Sequence, residues 1–504
     1  MSDDLPLIFD EQKFDSYYKY YIYSWLLLNL EPSRFLTQAR LVFFILDYYN
    51  LEYIFVNVST IILAAGSGTR MKSDLPKFLH AVSGRPLVEW SLQASATVSG
   101  ERPIVVVGHG RQQVQELLQE RVEYAVQEEQ LGTGHAVQQA EPLLRSREGA
   151  VIVIYSDMPL LRGETLRDLI EIFEDESKSG DLGIAMLTIH REDPQGFGRI
   201  VRHEDGQIAA IVEEVDCTPE QLKIQELNPG IYCFDSEWLW DNLSKMPLSA
   251  KGEYYLTDMI SIAVSQGKRV VSTTVAAEDV NGINTRLQLS QAEAVMRQRI
   301  LDSLMLSGVT IMDPASTYIE DTVSIAQDTT ILPGCLLQGD TKIGGHSVIG
   351  PNTRVVDSTV GAHSEISYSV IEQASVGDYC DVGPFAHLRK GAVLDTGVHM
   401  GNFGEVKNSY LGPGTKMGHF SYIGDTQIDD NVNIGAGTIT CNYDGKNKSQ
   451  TKIGENAFIG SGTMLVAPVT IGENAQTGAG SVVTKDVPAD TVVYGVPARQ
   501  PKKE

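Results

Sequence analysis

Residues 63–77 read LAAGSGTRMKSDLPK, and the first half of the chain is built around them. An apolar run from Thr60 to Ala65 leads into Gly66 and Gly68, and Arg70 and Lys77 follow. A strand, a glycine-rich turn and spaced cations together suit a triphosphate. Both glycines allow φ > 0 and close backbone approach. The N–H groups of such a turn form an anion-binding nest. Arg70 and Lys77 would then neutralise phosphate charge that repels an incoming nucleophile. The stretch is not a P-loop, because no Gly-Lys-Ser/Thr follows, and Met71 stands where a dinucleotide fingerprint needs its third glycine.

Working outward, residues 60–282 alternate β-branched apolar runs, such as 104–107 and 151–154, with helical stretches such as 112–120 and 163–174. That alternation predicts an α/β domain with a Rossmann-like, mostly parallel sheet covered by helices. Ligands of such sheets bind at the carboxyl ends of the strands, where Gly66 and Asp157 would lie. Residues 285–306 (TRLQLSQAEAVMRQRILDSLML) have helical spacing without Gly or Pro and predict a long linker helix.

From about residue 318 to 494 an aliphatic residue recurs every six positions, often followed by Gly, as in IGGHSVIG, IGDTQIDDNVNIGAG and IGENAFIGSG. This period predicts a β-helix whose coils bury an apolar rung each and gain stability by stacking. The repeat blurs over residues 383–408 and 441–450. Loops are expected to leave the prism at both places, and function tends to sit on such loops.

Composition is that of an ordinary globular protein, 42% hydrophobic and 21% charged over 504 residues. The net charge of −25 argues against a nucleic-acid or anionic-membrane surface. Any phosphate site is therefore a local cationic pocket. Five dispersed cysteines without a CxxC pair suggest reduced thiols in the cytoplasm, not a disulfide framework or a zinc site. Residues 1–57 differ from the rest, with stretches such as YYKYYIYSWLLLNL. Asp3 and Asp4 stand where a signal peptide carries basic residues. The apolar runs, broken by Asn29, Asp47 and Glu52, fall short of the roughly 20 residues that span a bilayer. The preferred expectation is a start called too early, with the natural chain beginning near Val56 or Val58. The rival is a genuine tethering or partner-binding extension. The expected division is then 1–57 extension, 58–284 α/β domain, 285–307 linker helix, and 308–504 β-helix with a C-terminal tail.

The string at 63–77 resembles the signature of sugar-phosphate nucleotidyltransferases. Over residues 60–487 the two halves, in this order, closely resemble the bacterial bifunctional N-acetylglucosamine-1-phosphate uridyltransferase/glucosamine-1-phosphate N-acetyltransferase family. The resemblance implies a left-handed parallel β-helix of hexapeptide repeats, a homotrimer, Mg²⁺, and UTP and acetyl-CoA as co-substrates. It implies two reactions: acetylation of glucosamine-1-phosphate, then transfer of UMP from UTP to N-acetylglucosamine-1-phosphate with release of pyrophosphate. The product, UDP-N-acetylglucosamine, is a cell-wall and glycan precursor.

For the first site the resemblance implies UTP contacts at Leu63, Ala64, Ala65, Gly66, Arg70 and Lys77. Uracil recognition would fall to Gln127, Gly132 and Thr133 (in QLGTGHA), and sugar contacts to Gly198, Glu213 and Asn228. Asp157, in YSDMPL, and Asn284, in NTRLQL, would hold the metal. The family usually has Gly where this chain has Ser156, which puts the local geometry in question. An aspartate after a strand is by itself commonly a cap or turn residue. Only the ordered set of matches points to a site.

For the second site the resemblance implies sugar-phosphate contacts at Arg389, Lys407, Tyr422 and Asn433. His419 would be the catalytic base, since an imidazole titrates near neutrality and a sugar ammonium must lose a proton. Glu405 is a candidate to orient that imidazole. Backbone N–H groups near Ala436 would stabilise the oxyanion. Acetyl-CoA contacts fall on Ala436, Asn442, Tyr443, Ser461 and Ala479, with Arg499 near the CoA phosphates. The tail VVYGVPARQPKKE is shorter than the enterobacterial pattern, so any contact made by a longer tail is expected to be absent or replaced. Two readings compete with the bifunctional one: a uridylyltransferase with a structural β-helix, and a non-enzymatic scaffold that senses nucleotide sugars. Arg389, Lys407 and His419 argue against the first, and Arg70, Lys77 and Asp157 against the second.

Overall fold

The structure is a computed structural model that describes residues 57–194 and 196–500. The expectations for the N-terminal segment up to residue 56 lie outside the described residues.

Strand Val58–Ala64 is buried at every position, as befits a strand covered on both faces. It pairs in parallel with Ile104–Val107 on one side and Ala150–Tyr155 on the other, and Glu123–Val126 extends the parallel set. Helix Gly163–Ser177 turns Leu166, Leu169, Ile170 and Phe173 inward, an i, i+3, i+4, i+7 stripe that packs on the sheet. Beyond Ala150–Tyr155 the strand Tyr232–Asp235 runs antiparallel, and it pairs in turn with Leu182–His190. The sheet then continues antiparallel through Glu226–Asn228, Gly198–Arg202 and Ile208–Val212. The half that carries residues 63–77 is therefore wholly parallel. Leu63 is in register with Tyr155, so the segments holding Gly66 and Asp157 leave neighbouring strand ends at one edge.

The linker helix spans Arg286–Leu306, and the Thr285 hydroxyl accepts from Gln288 N at its start. It belongs to two cores. Ala292 and Met296 pack with Val82, Leu87 and Trp90 of the first half. Leu301 joins the β-helix interior. A short hairpin, Ala81–Val82 with Arg85–Pro86, is held against both: Ser83 N donates to Glu293 Oε2 (2.6 Å) and Arg85 Nε pairs with Asp321 Oδ2 (2.6 Å).

The second half forms three parallel sheets of short strands, each coil adding one strand to each sheet. Ile331, Ile349, Ile366, Val382, Met400 and Met417 stack in register as one inward rung. The other two sheets do the same, and all their inward aliphatics join one core. The segment 442–450 leaves the prism, as expected, between strands Ile439–Cys441 and Thr451–Ile453. The segment 383–408 does not leave it. His387–Leu388, Val393–Leu394, His399–Met400 and Gly404–Lys407 keep full register with the coils on either side. Leu388, Leu394, Met400 and Val406 fill the inward positions there. Only the outward residues depart from the repeat, and they blurred it.

Candidate active sites

The phosphate-loop stretch borders a cleft of about 300 Å³ at the carboxyl edge of the parallel strands. Leu63, Ala65, Gly66, Lys77, Gln127, Gly132, Thr133 and Asp157 line it, together with Phe78, Gln130, Tyr155 and Glu253. Ala64 points into the core, 1% exposed. Arg70 is exposed on the 3-10 turn Thr69–Met71, whose Met71 is buried. Of the two glycines, Gly68 uses the freedom of a positive φ (61°) and Gly66 does not. A Cβ there would lie 2.6 Å from Lys77 Cβ, so glycine at 68 lets the turn close onto Lys77. A Cβ at Gly66 would meet nothing within 4 Å. That space faces the cleft.

Lys77, Asp157 and Asn284, far apart in the chain, meet here. Lys77 Nζ lies 2.5 Å from Asp157 Oδ2 and donates to Asn284 Oδ1 at 3.1 Å. Asp157 Oδ1 is buried and has no hydrogen-bond partner. The backbone fixes this arrangement, since Ile283 N donates to Asp157 O (2.8 Å) and Asn284 N to Gln288 Oε1 (2.8 Å). Ser156 causes no strain: its side chain is fully buried and its hydroxyl donates to Leu63 O at 2.8 Å, tying the two strand ends together.

The Gln127 amide donates to Gly132 O (3.0 Å) and shapes the loop before helix Thr133–Gln138. The Thr133 hydroxyl accepts from Leu256 N. Gly198 and Asn228 are paired neighbours, and a Cβ on Gly198 would lie 3.7 Å from Glu213 Cδ, so all three meet. The Asn228 amide is used in its own turn, donating to Tyr232 Oη (2.7 Å) and accepting from Gly230 N (2.9 Å). Burial raises the Glu213 pKa, and the Thr257 hydroxyl that donates to it opposes the shift.

On the β-helix, backbone stacking brings His419, Ala436, Ser461 and Ala479 to one corner, a coil apart. Gly437 N donates to Phe420 O, Gly462 N to Ala436 O and Gly480 N to Ser461 O, at 2.6–2.8 Å. Gly435 allows this spacing, because a Cβ on it would lie 2.6 Å from Ser461 N. Asn433 precedes the corner on one sheet. Arg389, Lys407 and Tyr422 follow it on the next, flanking the inward residues Leu388, Val406 and Ile423. Asn442 and Tyr443 open the protruding segment, and Asn442 Nδ2 donates to Asp425 Oδ2 (2.5 Å). Arg499 pairs with Tyr494 in the hairpin that caps the last coil. Glu405 does not orient His419: it is paired with Arg389 (2.7 Å) one coil away, because both point outward on adjacent strands.

The nucleotidyl transferase family matches residues 59–293, and bacterial transferase hexapeptide (six repeats) matches residues 450–485. "Bifunctional protein GlmU" of an Exiguobacterium species is 47% identical over 446 residues, 88% of this chain and 98% of the relative. The protein of that name from Desulfitobacterium hafniense is 48% identical over 86% of this chain and 95% of its own. The one from Halalkalibacterium halodurans is 44% identical over 89% and 98%. The chain belongs to the bifunctional GlmU family. It is a two-activity transferase, with a nucleotidyltransferase first half and a left-handed β-helix acetyltransferase second half. Among the described residues no helix is long and apolar enough to cross a membrane.

Seen against the GlmU family's two activities, Phe78, Tyr155 and Glu253 line the cleft but were missed by sequence reasoning, whereas Gln130 and Ala136 belong to the quoted QLGTGHA string. Tyr155 was accessible in principle, as the last residue of the strand that ends beside Asp157. Burial, reinforced by the charges of Asp157 and Glu213, pushes its phenol far up despite a hydrogen bond with Thr133, so it stays protonated. Glu253 carried no local signal. It reaches the cleft because Tyr254 N donates to Leu131 O and Gly134 N to Tyr254 O.

Proposed function

We propose that this chain makes UDP-N-acetylglucosamine from glucosamine-1-phosphate, acetyl-CoA and UTP, acetylating first. The observation that carries the reading is the meeting of Lys77, Asp157 and Asn284 at the phosphate-loop edge, in a chain that also stacks His419 above the Arg389 and Lys407 coils.

In the β-helix site, His419 takes the proton that frees the sugar amine. The amine nitrogen attacks the thioester carbonyl, a C–N bond forms, and the C–S bond breaks to release CoA, which receives the proton. Arg389 and Lys407 hold the sugar phosphate, assisted by Tyr422 and Asn433. Backbone N–H groups at Ala436 face the oxyanion, and Asn442, Tyr443, Ser461, Ala479 and Arg499 contact CoA.

In the cleft, a phosphate oxygen of N-acetylglucosamine-1-phosphate attacks the α-phosphorus of UTP. The new P–O bond forms as the bond to the β-phosphate breaks, and pyrophosphate leaves. Residues 63–66, Arg70 and Lys77 hold the phosphates and shield their charge. Gln127, Gly132 and Thr133 read the base, and Gly198, Glu213 and Asn228 read the sugar. Asp157 and Asn284 suit Mg²⁺, because an unpartnered carboxylate oxygen beside an amide oxygen is a hard donor set, and substrate phosphates complete such sites. When bound, the ion would draw charge from the phosphates. We further propose a homotrimer, as for hexapeptide domains in general, acting in the cytoplasm where both co-substrates are made.

The test is to mix the protein with glucosamine-1-phosphate, acetyl-CoA, UTP and Mg²⁺ and to identify nucleotide sugars by mass. Acetyl-CoA-dependent UDP-N-acetylglucosamine is the expected product. Product formed only from pre-acetylated sugar phosphate would leave a uridyltransferase with a structural β-helix.

A further inference from the structure

The Lys77 ammonium contacts both side chains assigned above to the metal, through the other carboxylate oxygen of Asp157 and the amide oxygen of Asn284. It is 2.5 Å from Asp157 Oδ2 and 3.1 Å from Asn284 Oδ1. Both members of the ion pair are largely withdrawn from water, with side chains 12% and 15% exposed. A carboxylate in such a place is strongly destabilised when its partner is removed. A divalent cation on Asp157 Oδ1 and Asn284 Oδ1 would share the amide oxygen and the carboxylate with the ammonium, and two cations at that separation repel strongly.

The backbone that carries the acceptors is fixed: Ile283 N donates to Asp157 O, and Asn284 N to Gln288 Oε1. Lys77 is the movable side, a four-carbon chain at the start of a three-residue turn. Beside it lies the open space at Gly66, which the phosphates of a nucleotide would enter.

We propose that Lys77 is a placeholder cation. In the nucleotide-free enzyme its ammonium stands in for the metal's charge beside Asp157 and Asn284 and keeps Asp157 neutralised. It releases Asp157 and Asn284 only when a triphosphate offers it another anion. Metal and nucleotide therefore bind together, and Lys77 determines that order. This rests on the reading of Asp157 and Asn284 as metal ligands.

The test is Mn²⁺ binding, followed by the paramagnetic resonance signal of free Mn²⁺, without and with UTP. Without UTP the wild-type chain should bind Mn²⁺ weakly. Lys77→Met should gain one site at least about tenfold tighter, the scale of a lost charged hydrogen bond. Adding Asp157→Asn to that variant should abolish the gain. Arg70→Met removes the same charge from the same loop without touching Asp157, and it should change Mn²⁺ binding much less. If Lys77→Met misfolds, Lys77→Gln keeps an amide donor for Asp157 and should shift binding in the same direction. A Lys77 variant that binds Mn²⁺ no more tightly than Arg70→Met overturns the placeholder. With UTP, wild type should take up Mn²⁺ beyond what the nucleotide alone chelates, and Asp157→Asn should remove the excess. If that excess is present but the Lys77 variants gain nothing without UTP, only the placeholder fails. If no Asp157-dependent excess exists, the metal reading fails with it.

Discussion

Burial raises the Glu213 carboxyl pKa above the ordinary carboxylate value, with the Thr257 hydroxyl pulling the other way. A folded-state value above the unfolded one means that the folded chain holds the proton more tightly. The stabilising contribution is full below the ordinary carboxylate value and is lost as pH rises through the folded value. Glu213→Gln removes this dependence. Its melting temperature relative to wild type should therefore rise between pH 4 and pH 8, and a difference independent of pH would show that Glu213 is not strained by burial. The two proposed centres are separable at the same scale. His419→Ala should lower acetyl transfer about 10²–10⁴-fold, the usual range for a general base, and leave uridylyl transfer nearly intact. Asp157→Ala should do the reverse. Separate assays of each half-reaction decide it, and loss of both activities in either folded variant would break the division.

At the scale of elements, the protruding segment 442–450 is an insertion between two strands that still pair in register with their neighbours. Its base is closed by Ser449 N donating to Asn442 O (2.9 Å), and Tyr443 bridges Lys448 just beyond. The prism does not depend on its tip. Replacing residues 443–448 with Gly-Gly, a length that closes a two-residue turn, should leave circular dichroism and uridylyl transfer unchanged. The KM for acetyl-CoA should rise about tenfold or more, as expected when one or two polar contacts are lost. An unchanged KM would remove Tyr443 from the CoA site. The linker helix works in the other direction: Asn284, just ahead of it, holds Lys77, Arg286 contacts His80 Nδ1 (3.2 Å) and Glu293 holds Ser83. Its start thereby braces the segment that carries the phosphate loop.

On the scale of the whole molecule, the β-helix and the α/β half have distinct hydrophobic cores. A solenoid is stabilised by each coil on the next. Ile423 is fully buried in a middle coil, beside Tyr422 on its own strand and paired with Val406 of the strand that carries Lys407. Ile423→Ala should lower the stability of the β-helix by about 2–5 kcal/mol. Scanning calorimetry should show one transition moving down while the other stays, with acetyl transfer lost at lower temperature than uridylyl transfer. Equal shifts of both transitions would mean that the linker helix, which packs on both halves, couples them into one cooperative unit.

The sequence by itself determined the two architectures and their order. Each is written in short-range patterns: strand-and-helix alternation around 63–77, and an inward aliphatic every sixth residue from coil to coil. Those patterns specify which face of each element is buried, and burial decides the fold class. Where outward residues broke the pattern, at 383–408, the inward Leu388, Leu394, Met400 and Val406 still held the chain in the prism. Most of the candidate site residues were legible too, because their motifs are local strings. Only the tertiary structure decided their partners. It gave Lys77 to Asp157 and Asn284, gave Glu405 to Arg389 and not to His419, and brought Tyr155 and Glu253 into the cleft. Such pairings depend on which strand ends and coils come to lie side by side, over separations of 80 and 207 residues in the case of Lys77, and no local pattern encodes contacts of that range.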